Sequence, residues 1–286
     1  MKLILSTSNT MSGGPSVIRR PFFEKSNTEL TSSLRANFAA HQPTPAPSKP
    51  DYTTWTTNTD SALYIPTHTP SPLTEPRESY DITVKLFYLP NIPADRRCAQ
   101  TREAIELVLK ELGTSSIDLL IVSFPGNTTG DCLDAGVPPE DIETMITTWR
   151  TLEKLQSEGL VSKLGIAEFG VARLTRFLEH TKIKPSVNQI NVRDCCVVPK
   201  PLILYAKQQQ IELLTHNDCT NILPRGTLRQ ILGSGEDGSG VLAGEGNEGG
   251  LKGDVEPQWV VKYTAVVKDR GVVESKGYFA VAELRD

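Results

Sequence analysis

Between residues 81 and 216 the chain alternates without a break between strand-like and helix-like runs, and this limits the fold more than any other feature. Residues 81–89 (DITVKLFYL) and 117–124 (IDLLIVSF) read as strands, the second nearly all apolar, as in a parallel sheet covered on both faces. Residues 100–112 form an amphipathic helix with Ile105, Val108, Leu109 and Leu112 on one face and Gly113 at its end. Residues 140–158 carry the clearest helical stripe: Ile142, Met145, Ile146, Trp149, Leu152 and Leu155. On its polar side Glu143, Arg150, Glu153 and Lys154 read as a solvated face, which a partner could also meet. Strands at 161–169, 186–192 and 211–216 alternate with helices at 171–180 and 201–210. Residues 257–269 read as a further helix, 271–282 as a closing strand, and residues 1–7 as one possible additional strand.

Short connections between such elements require parallel strands and right-handed crossovers. The solutions are a doubly wound sheet or a closed (β/α)8 TIM-type barrel. No Gly-x-Gly-x-x-Gly follows the first strand, which weakens the dinucleotide-binding doubly wound sheet. Length and strand number favour the barrel.

Composition removes several classes. Net charge is −4 and no basic cluster suggests a nucleic-acid surface. No run is long enough to span a membrane, and the apolar core of the first residues is too short for a signal peptide, so a cytoplasmic location is expected. The five cysteines are an odd number and include no CxxC pair, which fits a reducing compartment and gives no support for a zinc site. Residues 26–76, with eight prolines between positions 42 and 76, read as linker or surface excursion. Residues 233–253, with nine glycines, read as a flexible insertion. The expected organisation is an N-terminal region (1–78), a barrel core (79–232), the Gly-rich insertion (233–254) and a C-terminal helix and strand completing the barrel (255–286).

Specific motifs add a resemblance. The run IDLLIVSFP (117–125) resembles the aldo-keto reductase pattern I-D-L-x-L-I-H-W-P. GLVSKLGIAEF (159–169) and KPSVNQINV (184–192) resemble that family's later strands, in the same order. Within this superfamily, NQINVRDCCVVP, LLTHND and VVKYTAVVKDRGVVESKGY look like the family of glutamate–cysteine ligase regulatory (modifier, light-chain) subunits. The match covers roughly residues 79–218 and 256–282.

The resemblance implies an aldo-keto reductase-type barrel, whose enzymes use a tyrosine acid, a lysine that lowers its pKa, an aspartate that holds the lysine, and a histidine that orients the carbonyl. The lysine position falls on Lys85 and the histidine position on Ser123, which cannot become cationic. The aspartate and tyrosine have only Asp60 and Tyr64 as candidates, one residue too close together. The Ser-Asn pair at the nicotinamide carboxamide falls on Ala167 and Glu168, while Asn188 and Gln189 keep part of the cofactor pattern. The phosphate end falls on residues 273–276, where Glu274 is unfavourable beside a phosphate.

Each singled-out residue also has a plainer role. Lys85 reads either as a relic of catalysis or as an interior lysine paired with Asp118 or Glu168. Ser123 reads as a ligand contact or as the last residue of a strand before Pro125. Cys195 and Cys196, pointing to opposite sides of an extended segment, are redox or intersubunit thiol candidates, or buried inert thiols. His216, Asp218 and Cys219 would need ligands from elsewhere to hold a metal, and Asn217 and Asp218 read as caps of the following loop. No metal site and no cofactor is expected.

The family resemblance thus implies a non-catalytic regulatory subunit that forms a heterodimer with the glutamate–cysteine ligase catalytic subunit and activates it in glutathione biosynthesis. No nucleic-acid or membrane partner is expected. The alternative is an NADP-dependent aldo-keto reductase acting on a small carbonyl substrate, and a third reading is a redox sensor acting through Cys195 or Cys196.

Overall fold

The computed structural model describes residues 1–12, 26–43, 51–90, 92–126, 141–192, 197–219, 221–245 and 247–285. The alternating region folds as read. Strand β4 (Tyr80–Tyr88), β5 (Ile117–Ser123), β6 (Val161–Ala167), β7 (Val187–Asn191) and β8 (Glu212–His216) run parallel and adjacent. Helices α2 (Arg97–Leu112), α3 (Ile142–Ser157), α4 (Val171–Leu178) and α5 (Lys200–Gln209) connect them. Each helix ends for a local reason. Gly113 takes φ +62 and caps α2, and Asp141 caps α3 by accepting from the Glu143 amide at 3.2 Å.

These helices bury their apolar stripes on one face of the sheet. Trp149 of α3 is fully buried, donates to the Ile183 carbonyl at 2.9 Å and meets Phe177 of α4 edge-on at 5.2 Å. Glu153 is not solvated as its place on the polar side suggested. It is buried and accepts from the Lys182 and Ile183 amides at 2.7 and 2.8 Å, closing the loop after α4.

The α/β class and the βα alternation hold across β4–β8. The C-terminal region departs from expectation. Residues 257–269 are not a helix: β9 (Asp254–Val267) and β10 (Val272–Arg285) form a long antiparallel hairpin. The sequence WVVKYTAVV is rich in β-branched and aromatic residues, whose stiff χ1 favours a pleated surface over a helix. Trp259, Val261, Tyr263, Ala265 and Val267 alternate onto the helix-covered face, and Gly271 at φ +62 turns the hairpin. β9 pairs antiparallel with β4, so the hairpin takes the place that further βα units would hold beside β4.

The N-terminal region is also more ordered than its composition suggested. The first strand is present as β1 (Lys2–Ser6), antiparallel to β10. Residues 26–41, read as linker, form α1 (Ser26–His41). β2 (Thr57–Asn58) and β3 (Leu63–Ile65) complete the sheet, whose order is β2-β3-β1-β10-β9-β4-β5-β6-β7-β8. Leu30, Leu34 and Phe38 of α1, with Leu228, Ile231 and Leu232 of α6 (Thr227–Leu232), cover the second face over β1, β10 and β9.

The Gly-rich segment is packed rather than a free linker. Val241 and Leu242 are buried, and Asn247 donates to the Gly240 and Leu242 carbonyls at 2.7 and 3.2 Å. Some of its glycines are needed for close approach: a Cβ on Gly250 would lie 2.5 Å from the backbone of Leu242 and Ala243. No described helix is long and apolar enough to cross a membrane.

Candidate functional site

The C-terminal ends of the parallel strands converge on a buried charged cluster. In the antiparallel ladder Lys85 of β4 stands directly opposite Lys262 of β9. Two cations facing each other across a sheet repel. Asp218, in the loop after β8, sits between them: its Oδ2 lies 2.9 Å from Lys85 Nζ and its Oδ1 3.0 Å from Lys262 Nζ. Lys85 and Asp218 side chains are each 5% exposed.

Burial works against the charge of Asp218, yet Lys85 and Lys262 together hold its carboxyl well below the usual carboxylate range. Burial likewise pushes the Lys85 ammonium down, with Asp218 pushing back. The Lys85 ammonium also lies 5.1 Å from the centre of the Phe87 ring.

A second layer fixes Asp218. His216 Nδ1 accepts from the Asp218 amide at 3.0 Å, so the imidazole proton belongs on Nε2, which faces Glu168 Oε1 at 2.6 Å. That same oxygen accepts from the Asn191 amide at 2.7 Å. Glu168 adopts φ +64, an uncommon conformation for a residue with a side chain, which turns its carboxylate back over the strand ends. Residues from the ends of β6, β7 and β8 are thus tied to lysines on β4 and β9.

The expected carboxylate partner of Lys85 was Asp118 or Glu168; the structure assigns it to Asp218. Asp118 is occupied elsewhere, accepting from Arg77 at 2.8 Å and from the Ile82 amide at 2.7 Å. Ser123 is buried at the end of β5, on the face that carries Lys85, and pairs in register with Phe87.

Tyr64 cannot serve Lys85. It lies on β3, which is separated from β4 by β1, β10 and β9, or about 19 Å at the usual strand spacing of about 4.8 Å. It also packs on the helix-covered face, opposite to Lys85. Four buried tyrosines have their hydroxyls engaged elsewhere: Tyr80 with Glu274 at 2.7 Å, Tyr88 with Thr101 at 2.6 Å, Tyr263 with Glu111 at 3.2 Å and Tyr278 with Glu29 at 3.2 Å. Burial and the neighbouring Glu111 push the Tyr263 hydroxyl well above its ordinary value. Among the described residues no tyrosine hydroxyl bonds Lys85.

Of the two residues that keep part of the cofactor pattern, Asn188 is bonded to backbone. Asn188 is fully buried and holds the turn after β6, donating to the Phe169 carbonyl at 2.8 Å and accepting from the Phe169 amide at 3.3 Å. Gln189, on the opposite face of β7, has a buried Oε1 without a hydrogen-bond partner. At the phosphate end, Glu274 accepts from Tyr80 and from Thr74, and Lys276 pairs with Glu29 of α1. This lysine is already paired with a carboxylate.

Cys195 and Cys196 lie outside the described residues. Cys98 accepts from Thr151 Oγ1 at 2.9 Å, and Cys219 lies 3.5 Å from Asn27 Oδ1. Among the described residues no group of three or more metal-ligating side chains converges. Lys262 was missed in the sequence because it was placed on a helix. Only the strand assignment, with its period of two, puts it opposite Lys85.

The aldo/keto reductase family model matches residues 69–222. The mouse glutamate–cysteine ligase regulatory subunit is 28% identical over 209 residues, covering 73% of this chain and 68% of the relative. A putative glutamate–cysteine ligase regulatory subunit of Schizosaccharomyces pombe is 27% identical over 223 residues, covering 73% of both. Among solved structures, the aldose reductase of Schistosoma japonicum is 26% identical, with a TM-score of 0.39 over 55% of this chain; the chain spans 52% of that structure.

Proposed function

The chain belongs to the aldo/keto reductase family, and from that premise we propose that it is a non-catalytic regulatory subunit that binds and activates the catalytic subunit of glutamate–cysteine ligase. The observation that carries this reading is that, among the described residues, no tyrosine hydroxyl bonds Lys85, whose side-chain partner is the Asp218 carboxylate. Without a tyrosine acid within reach and with serine at the histidine position, proton delivery to a carbonyl has no donor. The names of the curated relatives at 27–28% identity supply the partner.

In this reading the protein performs no bond-making step. It binds one conformation of the catalytic chain more tightly than the others, and that difference in binding free energy is coupled to the partner's active site. The buried cluster serves the fold. It ties β4, β6, β7, β8 and β9 into one rigid end, on which an outer surface can be presented unchanged.

The test pairs two measurements. Co-expression with the cognate ligase catalytic chain is expected to give a one-to-one complex with a lowered glutamate requirement. NADPH oxidation by the isolated protein with a panel of aldehydes is expected to be undetectable. A turnover that Lys85→Met abolishes, without any complex, would replace this reading with the reductase.

A further inference from the structure

We propose that the cavity at the end of β4 is a binding site for a small carboxylate ligand with an amide N–H and an apolar body, the chemistry of an N-acylated apolar amino acid. The inference stands on the cavity itself and does not depend on the regulatory-subunit reading.

The cavity has a volume of about 350 Å³, within the usual range for small-molecule sites. Stretches far apart in the sequence form it: residues 89–90 after β4, positions within 221–225 between β8 and α6, residues 254–257 at the start of β9, and Arg285 at the end of β10. No described lining residue belongs to the Lys85–Asp218 cluster. Leu89, Leu223 and Val255 are 4%, 3% and 6% exposed and give the cavity an apolar wall. All three belong to the core that α1 and α6 build over the antiparallel half of the sheet, so the wall is held in place without a ligand.

The charges of the lining are unequally matched. Arg229 holds Asp254 at 3.3 Å, and Arg285 holds Glu256 at 2.6 Å, so both carboxylates are already paired with a cation. Arg225 is exposed and, among the described residues, makes no ion pair or hydrogen bond. The lining thus offers one cation without a partner, and its planar fork of donors fits a carboxylate. A phosphate would bring about two charges to this single cation.

Asn221 lines the same cavity, four positions before Arg225, and its Oδ1 is buried with no hydrogen-bond partner among the described residues. A buried acceptor in that state is costly until a donor reaches it. A ligand with an apolar body against Leu89, Leu223 and Val255, an N–H toward Asn221 and a carboxylate at Arg225 uses the three features that the fold leaves open.

The experiment measures binding of N-acetyl-leucine to the full chain by ligand-observed NMR, beside its neutral counterpart N-acetyl-leucinamide. The acid is expected to bind saturably and the neutral amide about tenfold more weakly or worse. Arg225→Ala is expected to weaken binding of the acid by about tenfold or more and to bring the two compounds to similar affinity. Thermal unfolding of this variant should match the unaltered chain, because the side chain is exposed and has no partner to lose. Asn221→Leu is expected to weaken both compounds alike, since both carry the N–H. No saturable binding of the acid to the unaltered chain up to about 10 mM overturns the site. Equal affinity for acid and amide in the unaltered chain overturns it as well, and so does an affinity for the acid that Arg225→Ala leaves unchanged. Unchanged affinity in a folded Asn221→Leu variant overturns the amide N–H as part of the ligand. None of these outcomes bears on whether the chain binds the ligase catalytic subunit, so the site and the regulatory reading fall separately.

Discussion

At the scale of a single residue, Asp218 turns a repulsive lysine pair into a three-membered ion cluster. Asp218→Ala leaves two lysines facing each other, one fully buried, and removing one partner of a buried pair costs about 3–5 kcal/mol. Urea unfolding of the variant measures this directly. Asp218→Asn removes the charge at nearly constant shape, and its effect has a pH signature. Because the folded carboxyl sits well below the unfolded value of about 3.9, the unfolded chain takes up the proton first as pH falls. The stability Asp218 contributes is therefore complete above about pH 5 and is lost in the acid range. The gap between unaltered protein and Asp218→Asn is expected to narrow from pH 5 to pH 3. A gap that stays constant would mean that the carboxylate is not held by the lysines.

At the scale of elements, the β9–β10 hairpin is the departure that matters, because it brings Lys262 to the cluster and Tyr263 into the core. Gly277 on β10 lies against it: a Cβ there would fall 2.3 Å from Tyr263 Oη and 2.6 Å from the Ser8 carbonyl. Gly277→Ala should cost about 1–3 kcal/mol, since the ring and the backbone at Ser8 must both shift. A calorimetric unfolding temperature equal to that of the unaltered chain would contradict the packing. On the opposite side, Trp149→Ala should cost about 3–5 kcal/mol through the cavity it leaves and the lost bond to Ile183. The βα elements were legible because period 3.6 and continuous apolar runs are local patterns. The hairpin was not, because WVVKYTAVV satisfies an apolar count for either state and its strand form is selected by pairing with β4, some 180 residues earlier.

At the scale of the whole molecule, the sheet separates two layers with different tasks. The parallel half is covered by α2–α5, and the second face of the antiparallel half is covered by α1 and α6. Tyr64 lies on β3, with three strands between it and β4. A double variant that installs histidine at Ser123 and frees Lys85 through Asp218→Asn is therefore expected to stay inactive in NADPH oxidation. Measurable turnover in that variant would show that a tyrosine can reach the site.

Sequence alone determined the α/β class and the positions of four helices and five parallel strands. Each of these is written in residue type or in short-range periodicity. Tertiary structure alone decided which carboxylate holds Lys85, that Lys262 opposes it, that Glu153 and Asn188 bond backbone, and that the Pro- and Gly-rich regions include packed structure. These outcomes depend on strand order and register, and so on contacts between residues as much as 180 positions apart. A pattern within one segment carries no record of the segment it will pair with.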